Sequence, residues 1–342
     1  MKATQHNRSL TGLKFIFIMF IVLTHTLPDT PLIQSIPFTS FIDVYGGVWG
    51  NSLFFTLSGY LLSMGYRERV RSHTISFGTY LYKRLAKLYP MYILSNIVMI
   101  PFLIHRYGPS VLSLKRIALV VLMQAGGALD NQFPFNGSSW FVCTLMVCYV
   151  LYYFVAYHSK NDTQYRCFLA AGIIIGYIIS NYHLDISYLY NENGVGYVNF
   201  FTGCALTEII PRIPEETYKK LTLPAIVMLL LSGYSMLRIG VEAALGSGPL
   251  GYTFFLNPLL IFVATVPNVV NRILGSRPIA YLGEISMSIY FCHTPLGDLF
   301  MYLSEIITGS EIFTDKVFFL YMIALFPVSI LNHYLFNRKK NQ

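Results

Sequence analysis

The sequence predicts an all-α, polytopic membrane protein: a bundle of about 10 (10–11) transmembrane helices. Three observations predict it. Of the 342 residues, 54% are hydrophobic and 12% are charged, about half the charge of a typical soluble chain. Apolar runs recur from one end to the other. Basic clusters fall between those runs, where Lys and Arg hold loops on the cytoplasmic side. No soluble domain stands out at either end, so residues 1–342 read as a single integral-membrane domain.

The runs justify the helices one by one. The first, 10–27, is an almost unbroken row of Leu, Ile, Phe, Met and Val after Lys2 and Arg8. A signal peptide opens similarly, but no small-x-small cleavage site follows, so this helix is expected to be retained. The second, 47–64, carries Gly50, Asn51, Ser52 and the pair Ser58-Gly59. It is expected to be broken, or buried in the bundle away from lipid. The basic stretches RERVRSH at 67–73 and YKRLAK at 82–87 follow. They place the N-terminus and this loop in the cytoplasm, with the bundle in the inner membrane. Further runs lie at 88–104, 114–128, 140–157, 167–180, 197–210, 221–238, 254–270, 279–303 and 317–336. Several fall short of the roughly 20 residues that a comfortable crossing takes. The closing NRKKNQ is basic again, which favours a cytoplasmic C-terminus and an even number of crossings.

The net charge of +8 resides in these loop clusters and suits anionic headgroups, so nucleic acid is not an expected partner. The five cysteines, Cys143, Cys148, Cys167, Cys204 and Cys292, sit in or beside apolar runs without metal-ligand spacing. They read as small packing residues, and no metal is expected.

Two polar residues interrupt the first run. Lys14 and His25 are eleven positions apart, about 16 Å along a helix and close to three turns. They cannot touch, but they can face one interior surface. A histidine near an interface can bond a backbone carbonyl or meet headgroups, and Thr24 and Thr26 make a polar collar around it. An imidazole in this setting can also take a proton from an alcohol attacking a thioester. Ionisable groups inside membranes are functional suspects by default.

Four stretches, in order, decide between these readings: LTGLKFIFIMFIVLTH at the start, GGVWGNSLFFTLSGYLLS at 46–63, FGTYLYKRLAKLYPMY at 77–92 and LGEISMSIYFCHTPL at 282–296. Together they resemble the integral-membrane acyltransferase family 3, the bacterial polysaccharide and sugar O-acyltransferases. The resemblance covers nearly the whole chain. It implies transfer of an acyl group, in the first place acetyl, from acyl-CoA to a hydroxyl of a cell-envelope glycan or lipid-linked sugar. Acyl-CoA is then a co-substrate, and no permanently bound cofactor is implied.

The family's first helix has Arg, ten residues, then His. Here Lys14 stands at the Arg place, His25 at the His place, and Thr11 where an acid is common. The resemblance makes His25 the general base or a covalent acyl carrier, with Lys14 as its companion. Arg84 and Lys87, with Arg67, Arg69 and Arg71 nearby, suit the phosphates of the donor, or else anchor the topology, the reading that holds for Arg71. Trp140 and Tyr149, in SSWFVCTLMVCYVLYY, are expected to line an acceptor or acyl channel, or else to belong to the aromatic belt. Ser58 and Asn51 can donate to an oxyanion or close a helix contact. His293 is expected to support the site, Glu284 to be a counter-charge, and Glu208 to face water. Basic groups at the inner end and His25 at the outer end suggest a channel between them for the pantetheine arm. The competing reading is a transporter or flippase for a small solute or sugar, which many spans and internal charges also permit.

Overall fold

A computed structural model of the chain describes residues 8–27, 31–182, 184–240, 244, 251–309 and 313–337. Lys2 and residues 338–342, on which the expected orientation partly rests, lie outside the described residues. Every regular element among them is helical. The helices are α1 Arg8–Thr26, α2 Pro31–Gln34, α3 Pro37–Phe41, α4 Gly47–Arg71, α5 Phe77–Tyr107, α6 Leu114–Val121, α7 Trp140–His158, α8 Asp162–Asn181, α9 Asn191–Ile209 and α10 Glu215–Ile239. They continue with α11 Asn257–Thr265, α12 Val269–Leu274, α13 Arg277–Glu284, α14 Ser286–Thr308 and α15 Asp315–Asn337. Polar residues set several starts. Ser76 accepts from the Thr79 amide at α5, Ser113 from the Arg116 amide at α6, and Asn161 from the Gln164 amide at α8, which satisfies donors that a helix start leaves free.

The expected count of about ten spans is corrected. Among the described residues, six helices are long and apolar enough to cross a membrane: α1, α5, α7 with its preceding turn, α8, α10 and α15. Each remaining run fails for a physical reason. The run at 114–128 contains only the eight-residue α6, and 254–270 forms only the short apolar helix Tyr252–Thr265. The run at 279–303 is divided between α13 and α14, and Ser, His, Pro and Asp dilute the hydropathy of the 23-residue α14. Helices α4 and α9 are long, but Gly, Ser, Thr and Asn dilute their hydropathy. These two are inner helices instead, as the composition of 47–64 foretold. A Cβ on Gly203 would lie 1.9 Å from the Thr56 carbonyl oxygen, and one on Gly59 would lie 2.0 Å from that of Phe200. Their backbones therefore touch, a contact that small residues alone permit. Around it Asn257 bonds Ser52 and Thr56, while Asn199 accepts from Ser52 and Thr253. The main apolar core gathers Ile18, Val22, Phe55, Tyr92, Val142 and Phe291 from α1, α4, α5, α7 and α14.

Where α4 ends, α8 begins and α9 ends, the charges interlock. Glu208, expected to face water, is 7% exposed. Its carboxylate meets Arg67, Arg166 at 3.1 Å and Arg212 at 3.0 Å. Asp162 takes Arg67 at 2.8 Å and also pairs with Arg71. A carboxylate can be buried here because Arg67 is largely buried with it and the half-exposed Arg166 and Arg212 close over it. Glu208→Ala leaves three guanidiniums around a hole and is expected to cost about 3 kcal/mol. Thermal unfolding in detergent measures it, and an unchanged midpoint would show that the network carries no stability.

Candidate active site

Helix α1 lies along α13 and α14, and this brings its last turn beside the middle of α14. The rings of His25 and His293 are 5.5 Å apart between centroids and inclined by 32°. His25 is exposed, whereas His293 is fully buried. The His293 Nδ1 sits 2.6 Å from the Tyr290 carbonyl oxygen. A carbonyl only accepts, so Nδ1 carries the proton and Nε2 presents a lone pair. That lone pair faces two hydroxyls, Thr294 Oγ1 at 3.2 Å and Ser138 Oγ at 3.4 Å. The two hydroxyls are 2.7 Å apart. Two tyrosines pin the arrangement: Tyr290 donates to the Ser138 carbonyl, and Tyr321 to the His293 carbonyl at 3.2 Å. The expected collar is spent elsewhere, since Thr24 and Thr26 turn their hydroxyls onto the Phe20, Ile42 and Val22 carbonyls.

One turn below His25, at Ile21, the helices enclose a small cavity. It measures about 10 Å³ and lies among Ile21, Asn51, Phe54, Phe141, Ser286, Met287 and Tyr290. It holds about one water, so the expected channel for a pantetheine arm is not open there. Lys14 is half-buried further down α1. Among the described residues no carboxylate pairs with it.

The remaining expected site residues divide between two places. Trp140 opens α7 directly after the turn that carries Ser138, half-buried against Phe55, and so belongs with the histidines. Tyr149 is nine positions on, about 14 Å along the helix, and belongs with Arg84. There Arg84 donates to the Tyr66 hydroxyl at 2.7 Å and lies over that ring at 4.6 Å. Tyr80 donates to the Tyr149 carbonyl at 2.9 Å, and Ser58 stands beside the Tyr149 side chain. Lys87 is exposed one turn beyond Arg84. Arg67 and Arg71 are engaged with Asp162.

Helices α5 and α14 run in one direction, with Met91 beside Ser288 and Arg106 paired with Asp298 at 3.1 Å. Interpolating between these contacts sets Arg84 about 20 Å along the axis from His293. No hydrogen bond, ion pair or ring contact among the described residues joins the Arg84 group to the histidines. The site thus has two poles, one cationic and aromatic, one built from imidazoles and hydroxyls. The described residues contain no group of three or more His, Cys, Asp and Glu suited to a metal ion.

Sequence reasoning placed His293 in support, noted Tyr290 only within the matching motif, and passed over Ser138, Thr294 and Tyr321. The only available signal was local: the polar NGSS run before Trp140 and the polar pair His293-Thr294 inside an apolar helix.

Comparison with known proteins adds the following. A family model described as an acyltransferase domain matches residues 7–337. "Protein 2 in picA locus" of Rhizobium radiobacter is 32% identical over 98 residues, which are 29% of this chain and 46% of that protein. The match thus spans about half the length of this curated relative. No solved structure matches the chain.

Proposed function

The chain belongs to acyltransferase family 3, and from that premise we propose that it transfers an acyl group, acetyl in the first place, from acyl-CoA to a hydroxyl of a cell-envelope glycan or lipid-linked sugar. The observation that carries this reading is the histidine pair at the end of α1, one imidazole accessible and one buried with its tautomer fixed. In this reading the accessible His25 takes the proton of the acceptor hydroxyl as its oxygen attacks the acyl carbonyl. His25 as a covalent carrier of the acyl group is the variant of the same idea. The donor's phosphates rest at the other pole, on Arg84 and Lys87, with Lys14 adding a cation between the poles. A pantetheine arm reaches on the order of 15–20 Å, comparable to the axial distance between Arg84 and His293. Because the cavity beneath His25 is so small, the helices around it must part for that arm to enter. Tyr149 and Ser58 line the donor end, and Trp140 the acceptor end.

With the basic loops inside, the donor pole faces the cytoplasm and His25 the far side of the inner membrane. A transporter moves a solute unchanged; this reading requires a covalent product. The test is mass spectrometry of surface glycans from cells with and without the gene, beside thiol release from acetyl-CoA by the purified protein. An acyl mass lost with the gene is expected. Identical glycans, with no thiol released, would overturn the reading.

A further inference from the structure

We propose that Ser138 is an acyl-carrying nucleophile with His293 as its base, so that transfer proceeds through an acyl-serine and the two histidines serve separate half-reactions. This rests on the acyl-transfer reading above and goes beyond it by naming a covalent relay on a different residue.

Four features of the turn before α7 carry it. First, the His293 lone pair has a direction. Its Nδ1 donates to the Tyr290 carbonyl, so Nε2 can only accept, and what it faces is the Ser138 and Thr294 hydroxyls. Hydroxyl, imidazole and an acceptor behind the imidazole form the nucleophile–base–orienter arrangement of covalent acyl transfer, with a carbonyl as orienter. The 3.4 Å between Ser138 Oγ and Nε2 is longer than a formed hydrogen bond, as is usual where catalytic contacts tighten only on the substrate. Thr294 offers a second path, from Ser138 through its hydroxyl at 2.7 Å and on to Nε2 at 3.2 Å.

Second, the adjacent serine shows what a structural hydroxyl looks like here. Ser139 is fully buried, donates to the Asn136 carbonyl at 2.7 Å and accepts from the Asn96 amide at 3.3 Å. Ser138 is half-buried instead, and among the described residues its hydroxyl meets only Thr294 and His293.

Third, there is room. A Cβ on Gly137 would meet nothing within 4 Å, so a substrate carbonyl can approach the turn. Fourth, the turn is held fast: Tyr290 donates to the Ser138 carbonyl, and the Asn136 amide nitrogen donates to Asn96 Oδ1 at 2.9 Å. A nucleophile needs such fixing, because small misplacements are costly.

The chemistry balances without a further reactant. Ser138 Oγ bonds to the acyl carbon, and the carbon–sulfur bond of the thioester breaks. The hydroxyl proton passes to His293 Nε2 and from there to the departing sulfur, which releases a free thiol. In the second half-reaction His25 takes the acceptor's proton. The acceptor oxygen bonds to the acyl carbon, the ester bond to Ser138 breaks, and the proton held by His25 passes to Ser138 Oγ, so that both imidazoles end neutral. A buried imidazole and an exposed one, side by side, match these two tasks: the first serves a fixed side chain, the second an incoming substrate.

The experiment incubates the full-length purified protein with acetyl-CoA and no acceptor, quenches in acid and digests with chymotrypsin, which cuts after Phe135 and Trp140 and frees residues 136–140. That fragment is expected to gain the mass of one acetyl group in the wild type and in His25→Ala, which can load but not discharge. It gains none in Ser138→Ala and loads about a hundredfold more slowly in His293→Gln. Ser138→Cys is expected to load as a thioester that neutral hydroxylamine removes, which guards against a mere folding defect in the alanine variant. If the wild type acylates its own membrane glycans while residues 136–140 stay unmodified in every variant, the relay is overturned and the acyltransferase reading stands. If the wild type releases no thiol from acetyl-CoA, with or without those membranes, both fall.

Discussion

His25→Ala is expected to lower acyl transfer to the acceptor by about 10²–10⁴-fold, the range that a positioned acid–base group supplies, with the bundle left intact. The structure separates the two effects. A histidine kept for structural reasons would bond a backbone carbonyl. Among the described residues His25 makes no hydrogen bond and has one ring contact, with His293. Its side chain is also exposed, so its removal opens no cavity. The midpoint of thermal unfolding in detergent should therefore stay where it is. His25→Gln should be as inactive as the alanine variant, because an amide keeps much of the polarity and cannot accept the proton. Wild-type transfer in either variant would remove His25 from the chemistry, and a lowered midpoint would return it to a structural role.

His25 was legible because its signal is local: an ionisable group in an apolar run, at the family's spacing from Lys14. The polar caps Ser76, Ser113 and Asn161 were open to the same kind of reading, and so was the small-residue helix at 47–64. What depended on distant segments was not. Glu208 looks solvated when its own helix is read alone; Arg67 and Arg166 arrive from two other helices to join the nearby Arg212 in neutralising it. Ser138 and His293 are 155 positions apart, and no periodicity connects them. The span count went astray for a related reason. Apolar runs were counted one by one, but an inner helix needs only to match its neighbours, so α4 and α9 trade hydropathy for close contact. Trp140 and Tyr149 looked equivalent within one aromatic helix, and only its placement assigns them to opposite poles.

Helix α1 is held by direct backbone contact. A Cβ on Gly283 would lie 1.8 Å from the Thr11 carbonyl oxygen, and one on Gly12 would lie 2.0 Å from that of Leu274. The backbones of α1 and the α12–α13 segment are in contact at both points, and no side chain fits between them. Gly283→Val is therefore expected to push α1 outward and destabilise the fold by about 3 kcal/mol, at the upper end of what overpacking costs. Activity should fall further than stability. His25 sits fourteen positions beyond Thr11, about 21 Å up a rigid helix, and a displacement at the anchored end is carried to the ring. A shift of about 1 Å at a reacting group can cost a hundredfold in rate. Gly233→Ala is the control. It lies within α10, and its added Cβ would meet nothing within 4 Å. Alanine there should stabilise by about 0.5–1 kcal/mol, because a mid-helix glycine carries an entropic cost. Opposite shifts in the two unfolding midpoints, with activity lost only in Gly283→Val, are the expected result. Equal behaviour would mean that α1 is not clamped at Thr11, and the alignment of His25 with His293 would then need another cause.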